Sequence, residues 1–210
     1  MTIHDSTTRR QLFASAGAFV GVAGAVSISR LVAAEGDTID VTATALERAV
    51  RVGRQPPVGS LTFPVLVGGG LILLNNFGGH SVSTGACSHN GVDVFPTTSA
   101  TRRLVSCIDG VIEGQRSLGG SQGNAWILKD ADGVSYRYHH IGEFEPGLQP
   151  GDAVRRGDVI ATMGTSGNAN AAHLHFEVRL DGLSASAIDP VPLFSLPIAG
   201  VSVGEPTGCA

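Results

Sequence analysis

From Leu61 onward the apolar residues of this chain arrive in short runs, each closed by glycine, aspartate, asparagine or proline. Leu61–Val67, Leu71–Leu74, Val92–Phe95, Leu104–Ile108, Ala125–Leu128, Val134–Tyr138, Asp158–Met163 and Leu174–Leu180 are all of strand length. None carries the apolar period of a full-length amphipathic helix. A chain punctuated this often can bury its apolar residues only by assembling short strands, so the pattern predicts an all-β protein with mostly antiparallel pairing. Asp130-Ala131-Asp132-Gly133 falls between two runs and predicts a hairpin, because Asp-Gly supplies the positive φ that the reversal requires. The 29 glycines fit such a turn-rich fold, and 210 residues suit one domain of ordinary size.

The run from His173 to Arg179 holds two imidazoles, His173 and His175, at positions i and i+2. On a strand both leave the same face while Leu174 and Phe176 point into packing. Such a pair suits a metal, an acid/base pair or one of each. Ser88-His89-Asn90-Gly91-Val92-Asp93 is a second landmark. Its even spacing keeps His89 and Asp93 on one side of an extended segment, and Gly91 permits close backbone approach. The third is Tyr136-Arg137-Tyr138-His139-His140-Ile141, where alternation lets only one of the two histidines join a site unless the backbone bends. Five of the seven histidines fall in these three clusters.

The order His89-x-x-x-Asp93, His140, His173-x-His175 resembles the lysostaphin-type (LytM-like) zinc metallopeptidases, which cleave peptide bonds in peptidoglycan. The likeness extends to Phe63-Pro64-Val65, Asp109-Gly110-Val111-Ile112, Gly123-Asn124, Tyr138-x-His140-Ile141, the Pro150–Ile160 segment, Gly164-x-x-Gly167 and the His173–Arg179 run, in that order. It covers roughly residues 61–190. The resemblance implies the duplicated hybrid motif, a compact sheet or barrel-like sandwich. It also implies one zinc ion held by His89, Asp93 and His175, with His140 and His173 as catalytic histidines. Three protein ligands leave a fourth tetrahedral position open, the mark of a catalytic rather than a structural zinc site. Ile141 stands where the family usually has leucine, and no tyrosine occurs between Gly79 and Ser88, where some members have one; His80 lies in that stretch and reads as a solvated loop residue. Glu177 shares the face of the histidine pair and reads as a partner to a ligand.

Other functions fit less well. An inactive family member that activates another wall hydrolase would typically have lost ligands, and all five positions are present. The Pro150–Asp158 segment also resembles biotinyl and lipoyl carrier domains, but Lys129, the single lysine, lies beside a turn and not in a Met-Lys-Met hairpin. A serine hydrolase would need a nucleophile elbow of the Gly-x-Ser-x-Gly kind, which Ser88 and Ser166 do not provide.

At the N-terminus, Arg9-Arg10, the weakly apolar run Leu12–Ile28 and the small-residue end Val32-Ala33-Ala34 resemble a twin-arginine export signal. Residues 1–34 are therefore expected to be cleaved after Ala34, leaving a lead-in over 35–60 with a short helix from Ala43 to Arg51, a peptidase domain over 61–195 and a tail over 196–210. The location implied is periplasmic or extracellular, with no stable membrane insertion after cleavage. Of 18 acidic and 14 basic residues that segment holds one and three, so the mature chain has 17 against 11, a formal charge of −6. An acidic chain lacks the clustered cations that nucleic acid requires as a partner. Of the three cysteines, Cys87 and Cys107 are expected to form a disulfide in an oxidising compartment, leaving Cys209 unpaired on the tail.

Overall fold

The computed structural model describes residues 54–80, 87–117, 120–180, 186–207 and 209. The export signal with its cleavage point and the helix expected over Ala43–Arg51 lie outside the described residues. Within them the chain is all-β, as expected. The strands are β1 (Leu71–Leu74), β2 (Val92–Pro96), β3 (Arg103–Val105), β4 (Gly110–Ser117), β5 (Asn124–Lys129) and β6 (Ser135–His139). They continue as β7 (Ile141–Phe144), β8 (Ala153–Val154), β9 (Val159–Met163), β10 (Leu174–Arg179), β11 (Ala187–Ile188) and β12 (Val201–Val203). Val191–Leu193 forms a 3₁₀ turn.

A large sheet runs β12-β1-β2-β10-β6-β5-β4-β8, with β11 added against the end of β10, and a small sheet runs β3-β9-β7. All pairings between these strands are antiparallel except β1 with β12. Alternation sorts the central strands into two faces. Val92 and Val94 of β2, Tyr136 and Tyr138 of β6, and Leu174, Phe176 and Val178 of β10 are almost fully excluded from water in the core. Leu104, Ile160 and Ala161 of the small sheet belong to the same core. Each such apolar side chain contributes about 2 kcal/mol of burial, and the shared core ties the orientation of the site-bearing strands to the packing of both sheets.

Polar groups inside this core are satisfied across the sheets. The Tyr138 hydroxyl donates to the Val105 carbonyl at 3.0 Å and accepts from the Cys107 N–H at 2.8 Å. The Trp126 indole donates to the Ile160 carbonyl at 2.8 Å. These bonds pin β6 and β5 to the small sheet, since leaving such groups unpaired would cost about 1–3 kcal/mol each.

The Asp130–Gly133 turn forms as expected. Gly133 adopts φ 86°, and the Asp130 carboxylate accepts the N–H groups of Asp132 and Val134. The run Leu61–Val67, however, is reduced to isolated bridges at Leu61 and Val65, with Pro64 between them unable to donate to a ladder. Residues 196–210, read as a tail, supply β12, which pairs in parallel with β1. No helix among the described residues is long and apolar enough to cross a membrane.

Candidate active site

The face of the large sheet opposite the core carries Asp93 on β2, His175 on β10 and His139 on β6. The register puts them in one row: His175 pairs with Asp93 on one side and with His139 on the other. Gly91, just before β2, packs against the Phe176 carbonyl of β10, where a Cβ would collide with backbone. That contact lets the loop carrying His89 lie close over the strand pair.

His175 Nδ1 lies 2.9 Å from Asp93 Oδ1, and His89 Nε2 lies 3.3 Å from Asp93 Oδ2. One donor atom from each of His89, Asp93 and His175 falls within 4.8 Å of the others, close enough to hold a single metal ion. The set of two imidazoles and one carboxylate is a good one for zinc. Asn76 braces two of the three. Its amide donates to Asp93 Oδ2 at 2.9 Å, its side-chain oxygen accepts the Asp93 N–H at 3.2 Å, and its carbonyl lies 3.1 Å from His89 Nδ1.

His140 and His173 stand beside this cluster with ring centroids 4.5 Å apart. His173 Nδ1 lies 2.9 Å from the Ala171 carbonyl, and His140 Nδ1 lies 2.8 Å from the Ser166 carbonyl. A carbonyl can only accept, so both rings carry the proton on Nδ1 when neutral and keep Nε2 as the basic nitrogen. His173 Nε2 is 3.8 Å from Asp93 Oδ1. His140 is the one non-glycine residue at positive φ among those described, at 60°. This is the bend that alternation demanded: His139 points from the sheet face, and the left-handed turn at His140 brings the next ring to the same cleft. Such a conformation costs about 1 kcal/mol or more and is found where surrounding structure enforces it. Here the His140 N–H bond to the Gln122 carbonyl and the ring bond to Ser166 do so.

The cleft has a volume of about 320 Å³, and all five histidine and aspartate positions singled out in the sequence line it. Its rim is polar, with Ser88, Asn90, Ser121, Gln122, Asn168 and Asn170. Burial would raise the Asp93 carboxyl, but the hydrogen bonds from His175 and His89 hold it well below the usual carboxylate range. Burial would lower the His175 imidazole, but its bonds to Asp93 and Glu177 lift it to about 9. Burial pushes His140 the other way, down to about 4, and the neighbouring His173 and His175 add to that effect against the Ser166 carbonyl. The neutral form of His140 is thus favoured across the neutral range.

Several participants carry no recognisable sequence signal. Asn76 follows β1 in an ordinary-looking Asn-Asn pair, and the Ser166 and Ala171 carbonyls act through backbone. Phe95 packs against His173, a role that only register reveals. Ser166 is no nucleophile: its hydroxyl donates to the Ile141 carbonyl at 2.7 Å and accepts the Asn124 N–H at 2.9 Å. His80 is exposed and sits with the disulfide at the margin, outside the His89 cluster.

The disulfide differs from the one expected. Cys87 bonds to Cys209, with their Cα atoms 5.9 Å apart, and Cys107 is free. Cys107 lies in the core beneath Tyr138, where burial pushes its thiol up to about 12, while the ordering of the segment after β12 brings Cys209 to Cys87. The Cys87–Cys107 pairing fails because the two residues occupy the surface and the interior of the same domain.

An all-β domain with a histidine-aspartate-histidine cluster on its polar face offers the donor set of a metal centre. The model of Peptidase family M23 matches residues 87–190, and that part of the chain belongs to this family, homologous to lysostaphin and the LytM-like glycyl-glycine endopeptidases. Its members are generally zinc-dependent. Among similar proteins, the DD-carboxypeptidase/endopeptidase Mpg of Neisseria meningitidis is 35% identical over 94 residues, covering 45% of this chain and 20% of that protein. The glycyl-glycine endopeptidase ALE-1 of Staphylococcus capitis is 32% identical over 118 residues, covering 55% of this chain and 32% of its own. The chain therefore spans only a fifth to a third of these curated relatives. The catalytic domain of lysostaphin from Staphylococcus simulans superposes with a TM-score of 0.51 at 25% identity, covering 58% of this chain and 90% of that one. A SpoIIIAH and SpoIIQ complex matches with a TM-score of 0.52 at 19% identity, over 62% of this chain and 97% of that one, a likeness of fold alone.

Proposed function

We propose that this protein is a zinc-dependent endopeptidase that hydrolyses peptide bonds in peptidoglycan stem peptides or cross-links. The observation that carries the proposal is the convergence of His89, Asp93 and His175 in a cleft that His140 and His173 also line. The donor set fits zinc in atom type and spacing, and Asn76 orients it from outside. Zinc held there supplies a Lewis acid for the scissile carbonyl and for water. The rest falls to the chain. His140 and His173, each with Nδ1 committed to a carbonyl, offer Nε2 to take a proton from water, to steady the developing oxyanion and to return the proton to the leaving amine. The polar rim offers amide and hydroxyl partners for a peptide backbone.

The relatives named above as endopeptidases support the substrate class, and an export signal over residues 1–34, as expected from the sequence, would carry the domain to the periplasm or outside the cell, where that substrate lies. A fold shared with a complex-forming protein also admits a binding or activating role for an inactive domain. The full set of five side chains favours hydrolysis. Digestion of purified peptidoglycan with and without chelator, followed by mass spectrometry of the fragments, tests it: chelator-sensitive peptide cleavage is expected, and none in any wall type would overturn the proposal.

A further inference from the structure

The His175 ring lies between two carboxylates. Nδ1 faces Asp93 at 2.9 Å, and Nε2 faces Glu177 Oε1 at 3.1 Å. Glu177 is 3% exposed and lies two residues along β10, on the same face as His175. A carboxylate this deeply buried needs strong partners, and besides His175 it has Arg179. Arg179 Nε donates to Glu177 Oε2 at 2.7 Å, and a second guanidinium nitrogen lies 2.6 Å from the same oxygen. His139 Nε2 stands 3.6 Å away. Arg179 is itself 3% exposed, so the pair forms a rigid block behind the ligand cluster.

Of the two nitrogens of His175, only Nδ1 faces His89 and Asp93, so only Nδ1 can serve a metal held by those three residues. An imidazole can present a lone pair there only if its proton sits on Nε2. Glu177 is the acceptor that keeps it there. Without such a partner the ring could place its proton on Nδ1, or rotate, and either change would close the site to a metal. Outer partners of this kind fix the tautomer and raise the basicity of the ligand.

We propose that Glu177, locked by Arg179, is a positioning residue that sets the tautomer and orientation of His175 for metal binding. The proposal rests on the assignment of His89, Asp93 and His175 as the metal ligands. It implies that Arg179 acts one step further out, by fixing Glu177 and not by touching the site.

Competition between the full chain and a chromophoric chelator for zinc tests it, with unfolding curves of the metal-free proteins recorded in parallel. Glu177→Gln keeps the shape and loses the charge; it is expected to bind zinc about 10- to 100-fold more weakly while remaining folded. Should that variant fail to fold for want of the ion pair with Arg179, the double variant Glu177→Met with Arg179→Leu removes both charges together. Removing both avoids an orphaned ion, and the same loss of zinc affinity is expected. Zinc affinity within twofold of the wild type in a folded variant would overturn the proposal and reduce Glu177 to a structural salt bridge. Failure of the wild type itself to compete for zinc would instead refute the ligand assignment beneath it.

Discussion

The phenyl ring of Phe95 lies flat on the imidazole of His173, with centroids 4.8 Å apart and planes 13° from parallel. β2 therefore contributes twice to the cleft, with Asp93 in the donor cluster and Phe95 two residues on as a wall for the neighbouring histidine. Stacked aromatic pairs are worth about 0.5–1.5 kcal/mol beyond their burial. Phe95→Ala should retain zinc and lower kcat by roughly three- to tenfold, as His173 gains freedom to rotate away from its working position. Steady-state kinetics alongside metal analysis checks this, and an unchanged kcat would show the stack to be incidental.

The two histidines of the His173-Leu174-His175 run should separate on substitution. His175→Ala is expected to lose both zinc and activity, because it removes one of three donors. His173→Ala should hold zinc and lose about 10²- to 10⁴-fold in kcat, the usual range for a proton-transfer group. Zinc analysis of the two purified variants distinguishes them; loss of metal from His173→Ala would reverse the assignment.

His140 should make the fold acid-sensitive in a definite window. Its ordinary value is near 6.5 and its folded value is about 4. Between those values the unfolded chain holds more protons, so stability is fully present above pH 6.5 and declines as pH falls towards 4. Asparagine tolerates the left-handed conformation and does not titrate. His140→Asn should lose about 2 kcal/mol less than the wild type between pH 6.5 and 4.5, each unit being worth about 1.4 kcal/mol. Urea unfolding at the two pH values measures this, and equal losses would refute it.

The bond between Cys87 and Cys209 closes a span of 122 residues. Cys209→Ser should lower stability by about 2–4 kcal/mol under oxidising conditions. Thiol titration of the unreduced, denatured wild type should find one free thiol, that of Cys107. Two or three would contradict the pairing.

Much of the fold was legible because strand length and turn chemistry are local. Val92–Pro96, Asn124–Lys129 and Leu174–Arg179 follow their apolar runs closely. β4 escapes the pattern because a bulge between Ile112 and Gly114 breaks its alternation, and β12 because Val201–Val203 is too short to stand out. Asp93 and His175 were legible because strands carry a period of two, whereas His89 on its loop and His140 at its left-handed bend stood out only through the order of the motifs. Asn76, Phe95 and the Ser166 carbonyl were not legible, since their roles depend on which strands become neighbours. The cysteine pairing failed for the same reason: three cysteines admit three pairings, and only the packing of Cys107 under Tyr138 excludes two of them.

The parallel seam between β1 and β12 gives synthesis an order. The Leu71–Leu74 edge is made early and waits, unpaired, until Val201–Val203 has left the ribosome. An apolar edge of that kind is a template for other chains, and pairing over so long a loop is slow to form. Nascent chains are therefore most vulnerable to sticking together just before β12 arrives, and a truncation that spares every residue of the cleft but removes that strand would be expected to yield aggregates instead of a smaller enzyme.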